Sequence, residues 1–226
     1  MKQFKIELQY LLLFIALAYF LMGPIPSAQA ASSTRYYAGY YGNNTPKGVS
    51  STIYTIDSSV PLFEFFAEWV NIQISYSPNY WVQLGYQQHW ILVFLIPVVT
   101  LDFYFERKDA IGHWEDYHIF KPIVGHTYTY KLNHVDGDLN WHFKILEDST
   151  VITDAYSDTN PHTYIEIKAF VETSVTSIDI DGSHFNYLKY YTGSNWYLWS
   201  YKNSYCTGPY YVDDVSNYEF YAYGGG

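Results

Sequence analysis

Cysteine is almost missing. Cys206 is the only one in 226 residues, which excludes an intramolecular disulfide framework and any multi-cysteine metal site. Basic residues are also scarce: 12 Lys+Arg stand against 22 Asp+Glu, a formal charge of −10. That balance removes the electrostatic case for binding nucleic acid or anionic lipid. Only 15% of residues are charged while 49% are hydrophobic, so a sizeable core is expected and intrinsic disorder is not. No apolar run reaches the ~20 residues needed to cross a bilayer. Leu11–Met22 falls short and is followed by Gly23-Pro24-Ile25-Pro26, and Ile91–Val99 is shorter still and contains Pro97. After Ala30 no long helical period occurs, nor a Gly-x-Ser-x-Gly elbow, a phosphate-cradling glycine loop or a nucleotide fingerprint.

The first thirty residues, by contrast, read as an address. Lys2 and Lys5 precede the apolar run, and Ala28-Gln29-Ala30 supplies small residues where a signal peptidase cuts. A secretory signal over residues 1–30 is therefore expected, leaving residues 31–226 as one acidic domain. That domain is expected to be secreted or held at the extracellular surface, with no membrane span. Asn43-Asn44-Thr45 is a glycosylation sequon, which suits a surface loop of an exported protein.

Beyond Ala30 the chain is a series of short runs rich in Tyr, Val, Ile, Thr, Phe and Trp. They are separated by turn signals such as Ser77-Pro78-Asn79, Asp181-Gly182 and Thr192-Gly193. Residues two apart on a strand share a face, so Ile165, Ile167, Ala169 and Val171 point one way and Glu166, Lys168, Phe170 and Glu172 the other. Tyr128, Tyr130 and Leu132 oppose Thr127, Thr129 and Lys131 in the same manner, and Asn140–Ile145 is a third case. The pattern predicts an all-β fold of two stacked antiparallel sheets. Ile91–Val99 is expected to be a strand buried on both faces, and the triple glycine Gly224–Gly226 is expected to fray.

Aromatic residues make up 21% of the chain, with 27 Tyr and 7 Trp. So many amphipathic rings cannot all be core, and exposed Tyr and Trp favour binding surfaces. The Asn195–Trp199 run places Asn195, Tyr197 and Trp199 on one face. The eight His show no zinc-type spacing, Asp136-Gly137-Asp138 and Asp179–Gly182 read as turns, and Cys206 reads as a small buried residue. No cofactor or metal is implied.

The order of short motifs resembles the glutamic peptidases. Tyr37-Ala38-Gly39 stands near the start, Ser59-Val60-Pro61 follows, and Trp81-Val82-Gln83-Leu84-Gly85 is similar to the segment that carries the catalytic Gln. Phe103-Tyr104-Phe105-Glu106, Gly125-His126 and Ile167–Glu172 match further elements in the same order. The resemblance implies a concanavalin A-like two-sheet jelly-roll sandwich and a dyad in which the Gln83 amide works with a carboxylate. Lys168 stands where the resemblance implies the catalytic Glu, which leaves Glu166 or Glu172 for that role. Two functions are therefore expected. The first is a binding or structural module holding an extended polysaccharide or polypeptide on an aromatic concave face, with Trp81, Glu106, Lys168, Tyr197 and Trp199 as ligand-binding residues. The alternative is a glutamic-type acid endopeptidase using Gln83 with Glu166 or Glu172.

Overall fold

Hydrophobic alternation decides which residues face inward, and strand pairing decides which of them meet. In the computed structural model, residues 34–42, 46–109, 112–117, 120–134, 140–158 and 164–226 are described. The segment read as a signal, the sequon and Asp136–Asp138 lie outside them. The described residues form fifteen strands and no helix: β1 (Tyr36–Gly42), β2 (Gly48–Tyr54), β3 (Phe66–Tyr76), β4 (Asn79–Val93), β5 (Ile96–Asp109), β6 (Gly112–Tyr117), β7 (Thr127–His134) and β8 (Asn140–Glu147), then β9 (Thr150–Asp158), β10 (Glu166–Thr173), β11 (Ser183–Tyr191), β12 (Trp196–Leu198), β13 (Asn203–Cys206), β14 (Tyr211–Ser216) and β15 (Glu219–Tyr223).

These strands build two sheets. The first runs β13-β1-β10-β3-β4-β5-β6 and the second β14-β15-β11-β2-β7-β8-β9, with β12 added against β11. Neighbours pair antiparallel throughout, including β10 with β3, β3 with β4 and β4 with β5. The expected all-β, two-sheet antiparallel sandwich is thus the observed one, and residues Thr34–Gly226 form one compact unit.

The three alternating segments fall as read except at Ile165, which precedes β10 and is 38% exposed. Ile167, Ala169 and Val171 of β10 share one core with Tyr128, Tyr130 and Leu132 of β7 and Trp141, Phe143 and Ile145 of β8, none more than 2% exposed. Aromatic contacts knit the layers: Phe105 of β5 stacks on Phe143 of β8 at 4.0 Å and 7°, and Phe103 meets Tyr128 edge-on at 5.0 Å. Each such ring contributes about 1.5–3 kcal/mol through burial, so the Tyr-rich composition largely supplies core. One core position is an acid. Glu68 follows Phe66 and precedes Val70 and Ile72 on the inner face of β3 and is wholly buried.

Two expectations are overturned. Ile91–Val99 is not a strand buried on both faces. It forms the end of the β4–β5 hairpin, where Ile91 through Val98 are all exposed. An apolar run implies burial only when neighbouring strands reach it. Here β3 stops pairing with β4 at Gln88 and β6 pairs with β5 only from Tyr104 onward. The triple glycine does not fray either. The Gly224 carbonyl accepts from Ile180 N–H at 3.0 Å, and its own N–H donates to Asp181 at 2.9 Å. At Gly225, with φ of 87°, a Cβ would lie 1.9 Å from the Ile178 carbonyl oxygen, so only glycine allows this close approach.

Candidate functional site

The outer face of the first sheet carries most of the residues singled out from sequence. Registers across β1, β10, β3, β4 and β5 arrange them in rows. One row reads Gly39–Phe170–Trp69–Gly85–Tyr104, the next Tyr41–Lys168–Asn71–Gln83–Glu106. Beyond these lie Tyr37–Glu172–Ala67–Gln87–Asp102 on one side and Glu166–Gln73–Trp81–Lys108 on the other. Among the described residues no third layer of strands covers this face, and Ala67, Trp69, Tyr104 and Phe170 are at most 5% exposed. Their rings pack on one another, so this face presents a row of aromatic side chains.

Glycine makes the ring row possible. Trp69 and Phe170 pack at 5.4 Å between centroids, and Tyr37 closes on Phe170 edge-on at 5.9 Å. A Cβ at Gly85 would come within 2.0 Å of the Glu68 carbonyl oxygen and 2.8 Å of the Trp69 Cβ. A Cβ at Gly39 would lie 2.1 Å from the Ala169 carbonyl oxygen. Both clashes are with backbone, which cannot swing aside. Gly85→Ala is therefore expected to destabilise the fold by at least about 1–3 kcal/mol, read as a lowered urea midpoint with an unchanged slope. An unchanged midpoint would contradict the packing described.

The polar row holds the chemistry. Gln83 is 7% exposed, and its Nε2 donates to the Tyr104 hydroxyl at 3.0 Å and to Glu106 Oε2 at 2.7 Å. The second carboxylate oxygen, Oε1, lies 2.7 Å from His113 Nε2. Next to Gln83 in the row, the Asn71 Oδ1 is buried and accepts no hydrogen bond. Lys168 follows, with its Nζ donating to Gln73 Oε1 at 2.9 Å and lying 3.4 Å from Glu166 Oε2. Burial lowers the Lys168 ammonium from its usual range, and the Glu166 carboxylate opposes that. Glu166 in turn accepts from the Tyr76 hydroxyl at 2.5 Å.

Glu172 belongs to the framework. It accepts from Trp69 Nε1 at 2.8 Å, pairs with Arg35 Nε at 3.2 Å and lies 3.5 Å from the Tyr37 hydroxyl. Burial pushes its carboxyl above the ordinary value, and these donors and the arginine pull it back.

The sequence-predicted set therefore divides. Gln83, Glu106, Lys168, Trp81, Glu166 and Glu172 share the outer face. Gln83 bonds to Glu106, while Glu166 and Glu172 stand in other rows. Tyr197, 47% exposed, and Trp199 lie apart from this face. Both lie at the second sheet, where β12 ends at Leu198, so strict alternation no longer governs Trp199, which is 2% exposed in the main core. Asn71, Trp69 and Tyr104 were not singled out, although alternation within β3 places Trp69 and Asn71 together. Cys206 is half-buried, and burial raises its thiol above the usual range. Among the described residues no group of three or more His, Cys, Asp or Glu is placed to hold a metal.

No family model and no curated protein sequence matches this chain. Solved structures do. Scytalido-glutamic peptidase, with a peptide-based transition state analog, is similar with a TM-score of 0.58 at 10% identity, over 84% of this chain and 98% of that one. SCP-B, a member of the eqolisin family of peptidases in complex with the tripeptide Ala-Ile-His, is similar with a TM-score of 0.51 at 9% identity, over the same shares. At such identities the likeness is one of fold. The two-sheet jelly roll of the glutamic peptidases is the architecture of this chain.

Proposed function

We propose that the outer face of the first sheet binds an extended polypeptide and hydrolyses it at acidic pH, with Glu106 as general base and Gln83 as amide donor. The observation that carries this reading is the 2.7 Å contact between Gln83 Nε2 and Glu106 Oε2. A water held on Glu106 gives up a proton to the carboxylate as its oxygen bonds to the scissile carbonyl carbon. The oxyanion takes a Gln83 N–H that the Tyr104 hydroxyl accepts in the unliganded site. Collapse breaks the C–N bond, and the proton on Glu106 passes to the leaving nitrogen. The unpaired Asn71 Oδ1 suits a substrate backbone N–H, and the ring row suits an apolar side chain. Both similar peptidase structures hold peptide-like ligands, which supports polypeptide over other polymers.

A second reading, binding without cleavage, is favoured by Lys168. It lies in the Gln83 row where the family resemblance implies the acid. The test is incubation of the protein with a denatured polypeptide across acidic pH, read by mass spectrometry. Cleavage that falls in Gln83→Ala supports hydrolysis. Intact substrate retained on the protein supports binding alone.

A further inference from the structure

The β4–β5 hairpin ends in a segment that no solvated loop needs. Ile91, Leu92, Val93, Phe94, Leu95, Ile96, Pro97 and Val98 are all exposed, Phe94 at 95%. Pairing continues from His89↔Thr100 to Val93↔Ile96, so the segment is an ordered two-stranded ribbon projecting past its neighbours. The turn residues are Phe94 and Leu95, with φ of 50° and 68°. A two-residue turn with both φ positive favours Asn-Gly, and bulky side chains there carry strain. Strain held at an exposed turn points to a use for the side chains that cause it.

Two other exposed apolar segments lie beside the stem. Trp90 Nε1 donates to the Pro61 carbonyl at 2.7 Å, which brings in Leu62 and Phe63, and Phe63 also has a positive φ, of 65°. Lys121 Nζ donates to Thr100 Oγ1 at 2.7 Å, which brings in Phe120, Ile123 and Val124. Each of these five residues is between 47% and 68% exposed. Charged groups at the base of the ribbon include His89 and Asp102, 3.4 Å apart, Lys121, and Asp57, which accepts from Gln88 Nε2 at 2.8 Å.

We propose that this end of the molecule is a membrane-docking tip that inserts into the acyl–headgroup boundary of a zwitterionic bilayer. Geometry selects the bilayer over a protein groove. Paired residues share a face, so Ile91, Val93, Ile96 and Val98 lie on one side of the ribbon, while Leu92 and Pro97 lie on the other. Both sides are exposed and apolar. A protein groove covers one side of a ribbon, whereas a fluid apolar phase covers both. Depth is bounded by the backbone. Among the described residues no strand pairs with the outer edges of the ribbon beyond Gln88 and before Tyr104, and backbone N–H and C=O groups left on such edges cannot enter hydrocarbon without cost. The stem from His89 to Phe94 is about 17 Å long at roughly 3.4 Å per residue, so the tip can seat about 5–10 Å deep while the charged base stays in water. With a net charge of −10, attraction to anionic lipid contributes nothing.

The test uses flotation of the full chain with phosphatidylcholine vesicles, comparing wild type with Phe94→Asn/Leu95→Gly. This pair suits the turn, so thermal stability should be kept or raised while two apolar anchors are lost. Wild type is expected to float, with the variant weaker by at least about tenfold. Equal flotation of the two would place the anchor elsewhere in the chain and overturn the proposal. So would binding that appears only with anionic lipid. Self-association without flotation, abolished in the variant, would show instead that a second copy covers the tip, and would likewise overturn it.

Discussion

Glu68→Gln is expected to flatten the dependence of folding stability on pH between about 4.5 and 8. Glu68 lies between the sheets at zero exposure, beside the Tyr86, Tyr130 and Ser183 hydroxyls, without a well-formed hydrogen bond to any of them. Burial pushes its carboxyl up to about 8 from an ordinary 4.5. The folded state therefore holds a proton that the unfolded chain releases. Stability from this group is complete below about 4.5, declines as pH rises, and is fully lost above about 8. The range corresponds to about 4–5 kcal/mol, or roughly 10–20 °C in Tm for a domain of this size. Glu172, also raised by burial, acts in the same direction. Asp214 acts in the opposite direction, but its carboxyl is held below 3.8 by Lys202 and Tyr40, outside this window. The glutamine variant keeps a buried polar group, whose cost is the same at every pH, so the slope, not the absolute value, is the readout. Thermal melts of the two proteins should lie closest in acid and separate as pH rises toward 8, where wild type has lost the Glu68 contribution and the variant has not. Parallel curves would mean that Glu68 is ionised in the folded state.

That acid is visible in the sequence once the face is assigned. Phe66, Glu68, Val70, Ile72 and Ile74 share one side of β3, and four of the five are aliphatic or aromatic. The same period-2 logic makes β7, β8 and β10 legible, because each has one face in the core and one outside. It fails where a segment has no such contrast. Ile91–Val99 is apolar on both sides, and its turn is Phe94-Leu95 rather than a Gly or Asn pair, so nothing local marks the hairpin. The loss propagates. The two-residue turn fixes the register that sets Gln83 opposite Glu106, and without it the two read as unrelated positions on separate strands. Glu106 was legible as a binding residue and Gln83 as an amide donor, but their partnership was not. Trp199 fails for another reason: its strand is only three residues long, so the alternation used to orient it has already ended.

The partnership gives the largest expected effect on activity. If Glu106 is the general base, Glu106→Gln keeps the shape of the side chain and its contact with Gln83 but removes the proton acceptor, so cleavage falls by roughly 10²–10⁴-fold. Gln83→Ala removes one oxyanion donor and costs roughly 10²–10³-fold. Because the two groups act on one tetrahedral intermediate, the double variant should be little worse than Glu106→Gln alone. Glu166→Gln tests the carboxylate that sequence reading favoured. Glu166 stands one row from Gln83 and is occupied by Tyr76 and Lys168, so this change should leave turnover within a fewfold of wild type. Glu172→Gln weakens the contacts of Arg35 and Trp69 and should lower the melting temperature with little change in turnover by the molecules still folded. Peptide cleavage measured on all five variants separates the assignments. A large loss in Glu166→Gln with none in Glu106→Gln would move the general base to β10. Undiminished peptide binding with no turnover in any protein, wild type included, would leave the outer face a binding surface whose Lys168 replaced its chemistry.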